Sequence, residues 1–191
     1  MANTDITPPQ ASLPLSAHSR FVQRLHRRYD DLLGLLPDGP PTHATMAPTL
    51  AALLAKGHAL GAALRILRQL VMARLITLDC DQQADLQTIT QGVTELAELT
   101  LDAACTAARA ELDSRHGAPR DADGQPVQLW IIGMGKLGAR ELNVSSDIDL
   151  IYIYEQEGET TGQPDGRGKL SNHEYFIRAI KLIYQLIGET T

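Results

Sequence analysis

Residues 133–150 read GMGKLGARELNVSSDIDL, which gathers three glycines, a lysine, two adjacent serines and two aspartates into eighteen positions. Asp147 and Asp149 alternate with Ile148 and Leu150. On a β-strand, residues so placed leave the same face with backbones about 6.6 Å apart. Two anions this close repel each other unless a cation or basic group holds them, and hard divalent ions such as Mg²⁺ take carboxylate and phosphate oxygens together. The pair therefore suits a metal-assisted reaction at phosphate. Solvated acids on an exposed strand edge are the plain alternative, since most Asp residues are exposed.

Gly133, Gly135 and Gly138 also spell GxGxxG, and Glu155 follows Gly135 by 20 residues. That spacing fits a dinucleotide-binding fold and hence an NAD-type oxidoreductase. The objection is room. Parallel strands need a crossover of a dozen or more residues, usually a helix, and only eight residues lie between Gly138 and Asp147. Asn143, Ser145 and Ser146 favour turns and caps over helix interiors. The glycines then make a tight turn and a short helix start, where backbone N–H groups around Gly133, Gly135 and Gly138 can approach phosphate closely.

Lys136 and Arg140 are candidate countercharges to phosphate, or equally a solvated pair on a surface helix. Ser145 and Ser146 can donate further hydrogen bonds, or serve only the turn. The six histidines form no ligand pair with acidic partners, and His173 reads as a surface residue. Cys80 and Cys105 are read as two buried thiols. Trp130, Tyr152 and Tyr154 are assigned to packing a sheet.

The elements that position this string follow from periodicity. Val127–Ile132 (VQLWII) and Ile148–Tyr154 (IDLIYIY) predict strands on either side of it. Ahead of them the spacing of apolar residues predicts a helix over Ser19–Leu36, a second over Ala47–Leu78 with a break near Gly57 and Gly61, and a third over Gln83–Arg115. After a polar loop over Gly158–Gly168, a last helix capped by Asn172 is predicted to run to Ile187. The organisation expected is a disordered start at 1–16, a helical region at 17–117, a linker loop at 118–126 and a catalytic segment at 127–191. The fold class is α/β.

Composition bounds the partners. With 17 basic against 23 acidic residues and a net charge of -6, the chain shows no basic footprint for nucleic acid. No window offers the roughly 20 apolar residues of a membrane span, because Arg65, Arg68 and Arg74 interrupt the most Leu-rich stretch. The first residues hold no apolar block of signal-peptide length, so a cytoplasmic location is expected.

A strand, a Gly turn with a Lys, ten residues and then a DxD entering a second strand resemble the signature of the DNA polymerase β nucleotidyltransferase superfamily. That superfamily usually has Ser or Gly where Lys136 stands. The full string closely resembles the motif of the glutamine synthetase adenylyltransferase/adenylyl-removing family, in which Lys follows the glycine. The form with Asn-Val-Ser-Ser before the Asp looks like the first, adenylyl-removing copy of two nucleotidyltransferase domains. The resemblance implies that Asp147 and Asp149 are catalytic and bind Mg²⁺, and that Gly133, Gly135, Lys136, Gly138, Ser145 and Ser146 hold nucleotide phosphates. It implies phosphorolysis, in which inorganic phosphate removes AMP from a glutamine synthetase tyrosine and releases ADP, the sister domain performing the forward transfer from ATP. Glutamine synthetase is then the protein substrate, with the PII nitrogen-signalling protein as a further partner. The superfamily takes a third carboxylate from a later strand, so this sequence is expected to be the start of a longer chain, its nucleotidyltransferase domain truncated. A catalytically inactive regulatory or docking segment is the remaining alternative.

Overall fold

The computed structural model describes residues 13–188. Most of the disordered start expected at the N-terminus, residues 1–12, lies outside them. The architecture is mostly helical, with two short antiparallel strand pairs.

Helix α1 (Arg20–Tyr29) starts where the Ser19 hydroxyl accepts from the Val22 N–H, and it buries Val22 and Leu25. The single helix expected over Ser19–Leu36 is in fact split, because the chain tightens into a 3-10 turn at Asp30–Leu35. Helix α2 (His43–Ala55) opens with a reciprocal cap between Thr42 and Thr45. It is separated from α3 (Leu60–Cys80) by a turn through Gly57, close to the expected break. Helix α4 (Leu86–His116) has 31 residues and is capped by Asp85, whose carboxylate accepts from the Thr88 N–H at 2.7 Å. At 1.5 Å per residue it spans about 46 Å. It is the longest element and the floor on which the rest is laid.

Strand β1 (Pro119–Arg120) pairs with β4 (Glu159–Thr160), and β2 (Leu129–Gly133) pairs with β3 (Leu150–Tyr154), both antiparallel. Between β2 and β3 lies one helical turn, α5 (Gly135–Gly138). Helix α6 (Asn172–Gly188) returns along α4 and α3, burying Tyr175, Phe176, Ala179 and Ile183. Its cap is Ser171, whose hydroxyl accepts from the Glu174 N–H, and not Asn172 as the sequence suggested. Asn172 is the first helical residue, fully buried, and its amide donates to the carbonyls of Arg120 and Gln156. The helix begins one residue earlier than a cap at Asn172 requires, so the capping position falls to Ser171 and the Asn172 side chain is inside the first turn, turned toward the two loops.

Two other expectations are corrected. Cys80 is exposed and only Cys105 is half-buried, because Cys80 sits on the last turn of α3 beyond the packed face. Trp130 is 57% exposed, on the side of β2 that faces away from the helices. No helix among the described residues is long and apolar enough to cross a membrane.

Candidate active site

The site is built from one end of the β2–β3 hairpin. Residues of both strands alternate between half-buried and exposed. Ile131, Ile148 and Leu150 pack against the helical core, and Tyr154 stacks on Phe176 of α6 at 5.1 Å between ring centres. The same alternation continues backwards past the start of β3: Ile148 is half-buried, while Asp147 and Asp149 are exposed. Both aspartates are thus exposed, as are Ile151 and Ile153 further along. The aspartates do not lie on the strand proper, however, since regular pairing begins only at Leu150.

What holds them against the Gly turn is one hydrogen bond beyond the ladder. The Met134 N–H donates to the Asp149 carbonyl at 2.9 Å, so the first residue after β2 and the second aspartate are locked side by side. The turn itself is made tight by its glycines. Gly135 adopts φ +55°, and a side chain at Gly138 would come within 2.5 Å of the Gly133 carbonyl oxygen. Leu137 is buried and plugs the turn into the core. Gly135, Lys136 and Leu137 are the first residues of α5, so their N–H groups have no acceptor within that helix. The lysine side chain is exposed.

From Arg140 to Ser146 the chain is fastened to α4. The Arg140 guanidinium meets the Glu98 carboxylate at 2.5 Å, the buried Leu142 N–H donates to the Thr94 hydroxyl at 3.3 Å, and Thr94 in turn donates to the Thr90 carbonyl. Arg140 is therefore already paired with a carboxylate rather than held ready as a countercharge. Thr94 and Glu98 are the anchors that sequence reading missed. Their i, i+4 spacing on one helix face was visible, but nothing in it pointed to a loop some 50 residues away. Ser145 is exposed, and Ser146 is half-buried with its N–H donating to the Asn143 carbonyl.

The site residues open onto different spaces. Ser146 and Asp147 border a largely apolar cavity of about 360 Å³ with Arg68 and Tyr184, whereas Lys136, Arg140 and Asn143 border a depression of about 840 Å³ against Gln87 and Gln91 of α4. Two features of the dinucleotide reading are missing: β2 and β3 are antiparallel, and a single helical turn stands where a crossover helix was needed. Glu155, the acid that would have met a ribose, instead accepts from the Gln128 N–H at 3.1 Å and the Trp130 indole N–H at 3.2 Å.

A profile of the glutamate-ammonia ligase adenylyltransferase family matches residues 10–191. Among individual proteins, the chain is 40% identical over 191 residues to a bifunctional glutamine synthetase adenylyltransferase/adenylyl-removing enzyme of Thioalkalivibrio sulfidiphilus, a match covering 96% of this chain and 19% of that protein. It is 48% identical over 135 residues to the protein of the same description from Chromobacterium violaceum, covering 70% of this chain and 14% of that one. A third, from Ralstonia nicotianae, is 38% identical over 193 residues, covering 96% and 20%. The chain thus spans about a fifth of the length of the two of these relatives that it matches over nearly its whole extent. With a family profile covering nearly all of it and this identity to full-length relatives, the chain belongs to the glutamate-ammonia ligase adenylyltransferase family.

Proposed function

We propose that this chain carries the carboxylate half of a polymerase β-like nucleotidyltransferase site that removes AMP from adenylylated glutamine synthetase by phosphorolysis. The observation that supports the reading is the Met134–Asp149 backbone hydrogen bond, which ties the start of the Gly turn to the second of two exposed aspartates. In the reaction an oxygen of inorganic phosphate attacks the phosphorus of the AMP–tyrosine ester. The bond from phosphorus to the tyrosine oxygen breaks, the phenolate takes a proton, and ADP leaves. ATP belongs to the opposite transfer, proposed for a second domain in the remainder of a longer chain.

The donor set fits Mg²⁺. Asp147 and Asp149, both exposed, offer hard oxygens, and this ion binds through one or two carboxylates while keeping waters and substrate phosphate oxygens as its other ligands. The chemistry it supplies when bound is neutralisation of charge on the reacting phosphate. On this reading Lys136 and the N–H groups of Gly135 and Lys136, which have no acceptor within α5, take phosphate oxygens, with Gly133 and Gly138 keeping the turn closed. Ser145 and Ser146 lie next in line before Asp147. Glutamine synthetase is the partner this reading requires, with a PII-type signalling protein as a regulator and the cytoplasm as the setting.

The test uses the full-length protein. Asp147→Asn or Asp149→Asn keeps shape but removes the charge that holds the metal. Phosphate-dependent ADP release should fall about 100-fold or more, the scale of losing one preorganised electrostatic contact to a transition state. Circular dichroism should be unchanged, because both side chains are exposed. A regulatory segment without chemistry predicts altered control but intact ADP release; near-normal release from the folded double variant would falsify the assignment.

A further inference from the structure

Arg140 holds a backbone angle that glycine usually takes. Its φ is +59°, and among the described residues positive φ otherwise falls on glycines, with Gln83 as the single further exception. The angle is set by the way α5 ends. The Glu141 N–H donates to the Lys136 carbonyl at 2.8 Å and the Arg140 N–H to the Leu137 carbonyl at 3.1 Å, the paired closure that requires a left-handed residue at position 140. Glycine takes that conformation without steric cost, whereas a residue with a Cβ is disfavoured in it, and arginine lacks the short polar side chain by which Asn or Asp eases it locally. Backbone geometry therefore does not explain an arginine here, and the side chain must.

That side chain reaches α4. Its guanidinium meets Glu98, one helical turn beyond Thr94, whose hydroxyl takes the Leu142 N–H. Residues 140 and 142 are thus pinned to neighbouring points on one face of α4, directly after the Gly turn. The ion pair is open to water, its side chains 53% and 41% exposed, and pairs of this kind add little to stability. What it can fix is direction. One end of the turn is tied to the aspartates by the Met134–Asp149 bond, and the other, through Arg140 and the Glu141 N–H on the Lys136 carbonyl, is tied to α4. Resting on the functional reading above, we propose that Arg140 is a positioning residue: its ion pair with Glu98 sets the far end of the Gly turn and so aligns Lys136 with Asp147 and Asp149. Arg140 acts through the turn and touches no phosphate itself.

Steady-state ADP release by the full-length protein, with adenylylated glutamine synthetase and inorganic phosphate as substrates, tests this beside urea unfolding of each variant. Arg140→Gly relieves the backbone, so the urea midpoint should hold or rise. Its kcat should nevertheless fall about tenfold, within the loss that a misplacement of about 1 Å can cause, while KM for phosphate changes little. Glu98→Arg combined with Arg140→Glu reverses the pair and should recover kcat to within about threefold of the parent, whereas Glu98→Arg alone should lose as much as Arg140→Gly. Full turnover by Arg140→Gly would make the pair an idle surface contact and overturns the proposal. A reversed pair that fails to recover kcat, or a KM for phosphate that rises and stays raised in it, would make Arg140 a phosphate ligand; a urea midpoint that falls in step with kcat would make its role structural. Each overturns it as well. Asp149→Asn separates the two readings. If that variant still releases ADP, the catalytic reading fails and this proposal with it; if it is dead while Arg140→Gly turns over normally, only the positioning role fails.

Discussion

Helix α3 and the β2–β3 hairpin are both apolar along most of their length, yet they fare differently. Helix α3 buries Leu64, Leu67, Leu70, Val71 and Leu75 against helices on several sides, while the hairpin buries one face and leaves the other open. The difference teaches where stability and chemistry are lodged. Stability resides in the helices, whose apolar faces pack on one another. The aspartates are exposed at the end of a hairpin held in place from behind, whose other face is open among the described residues.

The sharpest way to break this comparison is to cut each region once. Leu67→Ala, at a site with no exposure, should cost about 2–5 kcal/mol. Ile151→Ala on the open face should stay within about 0.5–1 kcal/mol. Urea unfolding followed by circular dichroism reads both, and equal losses would mean that the outer face is packed after all. Next in size is the turn. Gly138→Ala drives a methyl group into the Gly133 carbonyl and should cost roughly 1–3 kcal/mol, whereas Gly135→Ala meets open space and pays only for its positive φ, about 1 kcal/mol. The reverse order would show that backbone angle, not close approach, keeps the turn tight.

Smaller again is the fastening between the regions. Thr94→Val keeps the volume of a buried side chain but leaves the Leu142 N–H without its acceptor, at about 1 kcal/mol or a little more. Because Leu142 anchors the loop that carries Asp147, ADP release should fall by more than this stability loss explains. A variant with reduced stability and full turnover would detach the helices from the site.

The smallest effect is a pH dependence of the hairpin's inner face. Burial, with the Tyr184 phenol beside it, pushes the Tyr152 phenol up to about 12 from an ordinary value of 10.0. Burial and the Asp113 carboxylate raise Tyr175 as well. A raised value means that the folded state keeps its proton longer. The stability is therefore whole below about pH 10 and is lost as pH rises toward 12. Urea midpoints across that range should fall, and Tyr152→Phe should flatten part of the slope while the Tyr175 share remains. An unchanged slope would place the Tyr152 ring in water.

Much of the helical layer was legible because periodicity and caps are local. The break near Gly57 and the reach of α6 to its last apolar residues follow from signals within a few positions, whereas α4 starts at Leu86 after the Asp85 cap, three residues later than the expected Gln83. What failed was whatever depended on distant neighbours. Trp130 was assigned to packing because strand aromatics usually pack, but which face of a strand is covered is decided by helices elsewhere in the chain. Asn172 reads as a cap, but the helix starts one residue early, at Asn172 itself, and its amide donates to two remote carbonyls. In the site, the alternation of exposed aspartates with half-buried Ile148 and Leu150 could be read directly. That they stand just ahead of the regular strand could not, because pairing ends where the partner strand turns away at Gly133. The anchoring role of Thr94 and Glu98 left no local trace at all.

The hydrogen bond from Met134 to Asp149 also carries a rule of parity. Side chains on paired strands alternate with period two, so a slip of one residue between β2 and β3 would turn both carboxylates toward the helices and bring Ile148 and Leu150 out into water. Length changes from Asp149 onward through the paired residues are therefore tolerable only in twos. The loop from Glu141 to Asn143, whose side chains other than Leu142 are exposed, answers to no such count. Wherever this segment is lengthened or shortened, by evolution or by design, odd-numbered changes belong before Ser145 and only even-numbered ones after it.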